Sequence, residues 1–189
     1  KFPDDNLGLR SFLQNLRSSF DTRVVTHEDQ NRFHTIKQAA NFDRERRAAG
    51  SLEHYLRSLD MRAKIEKIDP SRSERAFQLL NKTNQFNLSG RRMDPAGWDS
   101  LLRASGCMAY QLEFQDRHSN YGIVSVLLAD DRGHVTDWIL SCRVFGRTIE
   151  HYMLNFLLEQ LRGKSIRALY LHYKDTGKNH AVRSFLNER

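Results

Sequence analysis

The densest chemistry in the sequence lies in eight consecutive residues, Ser141-Cys142-Arg143-Val144-Phe145-Gly146-Arg147-Thr148. They fall between an apolar run at 135–142 that alternates like a strand and an amphipathic stretch that reads as a helix from Thr148. Amide hydrogens at a helix N-terminus point outward, and the helix dipole favours an anion there. Arg143 and Arg147 add positive charge, and Gly146 lets a phosphate come close to the backbone. The same residues also suit a plain tight turn, and the residues alone leave both readings open. Cys142 either accepts an acyl group as a nucleophilic thiol or packs as a small apolar side chain. His151, in the first turn of the helix, is the histidine nearest this loop. Tyr173 and Lys178 flank the next strand-to-helix junction, where Tyr173 offers a proton donor or simply packs. Asn84, Gln85 and Asn87 form a cluster of amides that can hydrogen-bond a substrate carbonyl or hydroxyl, or shape a turn. Glu113 and Asp116 can act as a general base or belong to a solvated face. His118, His134, His172 and His180 have no spacing with acids that suggests a metal site, and no metal is expected.

The elements that must position these residues follow from pattern. Residues 1–60 read as a tether and helical linker. Thr26 and Asp29 make a helix start, the apolar positions up to Ala49 are sparse, and Gly50 ends that helix. Ser51 then caps a second helix through Tyr55 and Leu59. From Met61 the pattern changes. Ala63, Ile65 and Ile68 alternate with charge as in a half-exposed strand. Asp69-Pro70 breaks it, and Ser71 with Glu74 forms a capping box for the next helix. Asp94-Pro95 starts another, with Pro where no amide hydrogen is needed. Strands are predicted at 107–114, 122–129 and 135–142, with Asp131-Arg132-Gly133 as a hairpin turn. A helix over 148–161 should show Ile149, Tyr152, Met153, Phe156 and Leu157 on one stripe. A strand at 166–173 and a helix from Asn179 complete the order β-α-α-β-β-β-α-β-α. That order predicts an α/β fold of the α+β type, with a mixed, mostly antiparallel sheet flanked by helices over 61–189.

Composition narrows the setting. The chain has 189 residues, 39% hydrophobic and 28% charged, enough apolar content for a packed core. No apolar run is long enough to span a membrane. Two cysteines are too few for a disulfide framework, which favours a reduced, cytoplasmic protein. A net charge of +7 calls for an acidic partner. An acidic carrier protein and coenzyme phosphates rank above nucleic acid, because no basic stripe interleaved with aromatics is present. Lys1, not Met, opens the chain, so it reads as an excised piece or a processed product of a longer protein.

Two resemblances sharpen the expectation. Arg143-x-x-Gly146-x-Thr148 resembles the pyrophosphate loop of the GNAT (Gcn5-related N-acetyltransferase) fold, with Thr148 where a Gly or Ala is usual. Asn179 and Phe185 resemble the helix that follows that fold's splayed strand. Lys82-Thr83-Asn84-Gln85-Phe86-Asn87-Leu88, with Arg91-Arg92 behind it, is very similar to a run in FkbH-like proteins. Further similar stretches occur at Gly50-Ser51-Leu52, Asp116-Arg117, Tyr121-Gly122-Ile123-Val124, Leu140-Ser141-Cys142-Arg143-Val144 and Lys178-Asn179. The resemblance implies the C-terminal GNAT-like acyltransferase region of an FkbH-like protein. Such a protein loads a glyceryl group from 1,3-bisphosphoglycerate onto an acyl carrier protein for methoxymalonyl-type polyketide extender units. It implies a partner HAD (haloacid dehalogenase-like) phosphatase domain, whose Asp-x-Asp signature this sequence does not contain. It also implies coenzyme A or a carrier's phosphopantetheine as ligand, held by Arg143, Val144, Gly146, Arg147, Thr148 and Asn179. Asn84, Gln85 and Asn87 would line the acyl pocket, and Cys142, Tyr173 or His151 would supply catalysis. A coenzyme A-dependent N-acetyltransferase and a non-catalytic carrier-docking module are the alternatives.

Overall fold

The computed structural model describes residues 44–45, 49–164 and 166–188. The tether and most of the sparse helix predicted at 26–49 lie outside these residues. The chain divides between Glu45 and Arg46. The helix expected in the appendage, α1 (Leu52–Ser58), therefore belongs to the second unit, where it buries Tyr55. Its N-cap Ser51 accepts a bond from the His54 amide, as the sequence suggested.

Six strands form one sheet: β1 (Arg62–Lys67), β2 (Phe86–Asn87), β3 (Cys107–Asp116), β4 (Ser119–Asp130), β5 (His134–Leu140) and β6 (Tyr170–Leu171). The order β1-β3-β4-β5 is antiparallel throughout. The outer edge of β5 is shared by two short strands. β2 pairs antiparallel with its carboxyl end and β6 pairs parallel with its amino end. The parallel pair requires a crossover, and α4 (Ile149–Arg162) provides it. The predicted strand at 166–173 reduces to two paired residues, and β2 was not foreseen at all. A two-residue strand has no alternation to read, so its existence depends on β5 being there to pair with.

Helices cover both faces. α2 (Glu74–Lys82) and α3 (Pro95–Arg103) flank a core of Ala76, Leu79, Leu80, Trp98, Val126, Leu128 and Ile139. The other face packs α4 and α5 (His180–Asn187) through Met153, Leu157, Val182 and Phe185 onto Leu127, Trp138 and Leu140. The buried stripe of α4 is Ile149, Met153, Leu154, Leu157 and Leu161. Tyr152, assigned to that stripe from spacing, is 48% exposed. Buried polar atoms are paired where the cores need them. Trp138 Nε1 donates to Ser125 Oγ at 3.3 Å, and Trp98 Nε1 donates to Ser73 Oγ at 2.9 Å.

Helix starts follow chemistry, with one correction. Asp94 accepts from the Gly97 amide at 2.7 Å, with Pro95 in the first turn of α3. The capping box of Ser71 and Glu74 does not form. A 3₁₀ turn at Pro70–Arg72 intervenes, and the Asp69 side chain accepts from the Ser71 amide instead. The hairpin at Gly133 matches expectation, with φ at +92°.

Candidate functional site

The carboxyl end of β5 runs straight into the arginine-rich loop. The Ser141 amide donates to Val124 O at 2.8 Å, and Cys142–Val144 tighten into a 3₁₀ turn. That turn buries Val144 against the sheet and leaves Cys142 exposed. The thiol sits just beyond the strand, so it is not the buried strand cysteine that packing would have required. Gly146 has φ +78°, and Thr148 also lies in the left-handed region at φ +56°. A β-branched residue seldom adopts that conformation. Thr148 caps α4 by position only. Its hydroxyl donates back to Arg147 O at 2.7 Å and makes no cap bond to the helix.

Both loop arginines are engaged by the protein itself. Arg147 is 5% exposed. Its Nε donates to Asp116 Oδ2 at 2.9 Å, its Nη2 to the Tyr121 hydroxyl at 2.9 Å, and its Nη1 to Arg143 O at 3.2 Å. The other Asp116 oxygen accepts from the amides of His118 and Ser119, closing the β3–β4 turn. Asp116 is thus a structural anchor between two loops. Glu113 is exposed. Arg143 is half-buried and donates to Ser141 Oγ at 3.2 Å and to Tyr121 O at 3.1 Å. Burial, aided by the nearby Arg75, lowers its pKa from the ordinary arginine value.

The first turn of α4 holds an acid that sequence reasoning passed over. Glu150 is raised above the usual carboxylate range, chiefly by burial, which outweighs the opposing pull of its own amide and of His151. Its Oε2 is buried without a hydrogen-bond partner. Its Oε1 lies 3.7 Å from His151 Nδ1, and His151 Nε2 lies 3.6 Å from Glu188 Oε2. The His151 ring stands edge-on to Phe185 with centroids 5.2 Å apart. Glu150, Phe185 and Glu188, together with Phe86, Leu140, Phe145 and Gly146, bound a cavity of about 190 Å³ at the end of β5. An acid in the first helical turn after a glycine-arginine loop was a legible signal. The helix dipole favours an acid in any first turn, however, so position alone does not single Glu150 out.

The amide cluster separates. Asn84 and Gln85 are exposed, and Asn84 Oδ1 accepts from Arg92. Asn87 is buried. It donates to Thr83 O at 3.1 Å and accepts from the Gly90 amide at 2.8 Å. Asn179, also buried, donates to Asn87 O at 2.9 Å and to Lys174 O at 2.8 Å, and accepts from the Thr176 amide at 3.0 Å. Asn87 and Asn179 therefore tie β2 to the loop before α5. The Tyr173 hydroxyl is buried without a hydrogen-bond partner, and the ring packs against the core on the α4 side. A second carboxylate, Asp137 of β5, is fully buried and paired with Arg91, with Ser89 Oγ donating to it at 2.7 Å.

Three of the residues expected to hold a coenzyme diphosphate are engaged within the protein. Arg147 is committed to Asp116, Arg143 to Ser141 and Tyr121, and Asn179 to two carbonyls. Glu150 adds a carboxyl group to the first turn of the same helix. The β5 edge at Ile139 and Leu140 is paired with Phe86 and Asn87.

Neither a family model nor a curated protein matches the chain. Among the described residues, no group of three or more His, Cys, Asp or Glu is placed to hold a metal ion, and no helix is long and apolar enough to cross a membrane.

Proposed function

We propose that the chain is the GNAT-like C-terminal region of an FkbH-like protein. In this reading it receives the acidic acyl carrier protein while a glyceryl or similar acyl group is loaded from 1,3-bisphosphoglycerate, and the phosphate chemistry belongs to a HAD domain outside this chain. The order of elements and the β5-α4-β6 crossover support the GNAT-like part. One observation carries the family part. The 82–88 run and Lys178-Asn179, ninety-odd residues apart, meet through the Asn179–Asn87 bond at the end of the strand leading into Leu140-Ser141-Cys142. Residues that carry the resemblance in separate stretches thus serve one structural purpose.

The engaged arginines and the paired β5 edge favour docking of the carrier as a protein over a grip on coenzyme A. They weigh against a free-standing N-acetyltransferase. A second reading is favoured by one observation, the exposure of Cys142. There the thiolate attacks the acyl carbonyl, the leaving phosphate departs with its bonding pair, and the resulting thioester passes to the carrier thiol.

Calorimetric titration with apo-carrier, holo-carrier and coenzyme A separates these. Equal binding of apo- and holo-carrier, with no heat from coenzyme A, is the expected result. Binding that needs the phosphopantetheine arm and is lost in Arg143→Ala would restore a gripping role for the loop. Tight binding of coenzyme A alone would turn the reading to the acetyltransferase. Mass added to Cys142 in the presence of a HAD partner and the phosphorylated donor would establish the thioester route.

A further inference from the structure

The amino end of β5 brings together two histidines that the sequence keeps far apart. His134 stands opposite Tyr170 and Val135 opposite Leu171 in the parallel β5–β6 pair. The Tyr170 amide donates to Gly133 O at 2.9 Å and the His172 amide to Val135 O at 3.0 Å, which fixes the register. Side chains alternate along a strand. Val135 and Leu171 accordingly face the core, while His134, Tyr170 and His172 share the opposite, more open face. There His134 Nδ1 lies 3.0 Å from His172 Nε2. The Tyr170 ring stacks on His134 with centroids 4.8 Å apart and planes 16° apart.

We propose that His134 and His172 form a bidentate site for a divalent late first-row transition ion of the nickel or copper type. Two imidazole nitrogens already 3.0 Å apart need only a small ring rotation to bind a common ion at about 2.0–2.1 Å. Imidazole and water donors suit nickel and copper, which the affinity order of divalent first-row ions places above the earlier metals. The site is partly preorganised. The β5–β6 ladder sets the backbone and Tyr170 holds the His134 ring, so the exposed His172 ring is the one that turns to converge on the ion. In the neutral pair one N–H bridges the rings. On binding, that proton moves to the other nitrogen of its own ring and the freed lone pair goes to the metal. No proton is released, and water completes the coordination. A bound ion would clamp β6, which has only two paired residues, to β5.

The test is calorimetric titration of the full chain with nickel chloride, with far-UV circular dichroism to verify that each variant is folded. One saturable site is expected, lost in His134→Ala and in His172→Ala and retained in His118→Ala. Nickel should raise the melting temperature of the parent chain and leave that of His172→Ala unchanged. Because truncating His134 can loosen the strand pairing, His172→Gln provides a second check. Its amide can still bond His134, so it should fold normally and fail to bind nickel. No saturable binding to the parent, or binding that survives in His172→Ala and His172→Gln, overturns the proposal.

Discussion

Thr148 shows how a single departure from a pattern reappears as backbone strain. The loop resemblance places Gly or Ala at this position, and the structure gives Thr148 φ +56°. An L-residue in the left-handed region costs about 1–2 kcal/mol, a penalty that glycine escapes. Thr148→Gly should therefore stabilise the chain by about 0.5–1 kcal/mol in urea denaturation, allowing for the extra freedom glycine gives the unfolded chain. A loss instead would mean that the Thr148 hydroxyl bond to Arg147 O outweighs the strain. Glu150 gives a second, pH-dependent prediction. Its folded-state pKa is raised by burial, so the folded protein prefers the neutral acid. The associated stability is fully present below the ordinary carboxylate value of 4.5 and is lost as pH rises through the raised folded value. Glu150→Gln, which stays neutral, should melt at the same temperature as the parent near pH 4 and at a higher one at pH 8. Melting curves that remain parallel across that range would show that Glu150 ionises without penalty.

At the scale of elements, the sequence spoke clearly where periodicity or a cap was involved. β3, β4, β5 and α4 have long apolar patterns, and Asp94-Pro95 announces α3 through a carboxylate that needs only the next turn. What stayed hidden depends on distant partners. β2 exists because β5 has a free edge, β6 shortened because β2 shares that edge, and the Arg147–Asp116 and His134–His172 pairs join residues 31 and 38 positions apart. The candidate site was legible in location and not in role. The loop falls at the end of β5 as expected, but its arginines, expected to hold phosphate, bond within the protein, and no local feature reveals Asp116 or Tyr121 behind them. The resemblance implies Asn87 as a substrate ligand and Asn179 as a cofactor ligand, and in the structure both link segments within the protein. Asn179→Ala tests that assignment. It removes the donors to Asn87 O and Lys174 O, and leaving two carbonyls short of partners should cost about 2–4 kcal/mol. Hydrogen exchange should quicken at the amides of Phe86 and Asn87 and stay slow along β3 and β4. Uniform quickening everywhere would mean that β2 is integral to global stability and not a separate latch.

Among the described residues, the two edges of the sheet differ. One outer edge is β1, whose exposed Arg62, Lys64 and Lys67 discourage pairing with another strand. The other edge is closed piecewise by β2 and β6. A net charge of +7 spread over the chain acts on an approaching partner at a distance, before any contact is made. Screening then decides the outcome, since the Debye length falls from about 8 Å at 0.15 M ionic strength to about 3 Å at 1 M. If the partner is an acidic carrier protein, the association rate should fall steeply over that salt range while the dissociation rate changes little, because steering belongs to the encounter and not to the docked complex. Stopped-flow or surface-based kinetics with apo-carrier measures both rates. A salt-insensitive association rate would place the docking energy in apolar contact and remove the argument from net charge. A dissociation rate that climbs with salt would instead put charged pairs inside the interface, and single Arg→Ala variants along the exposed edge could then locate them.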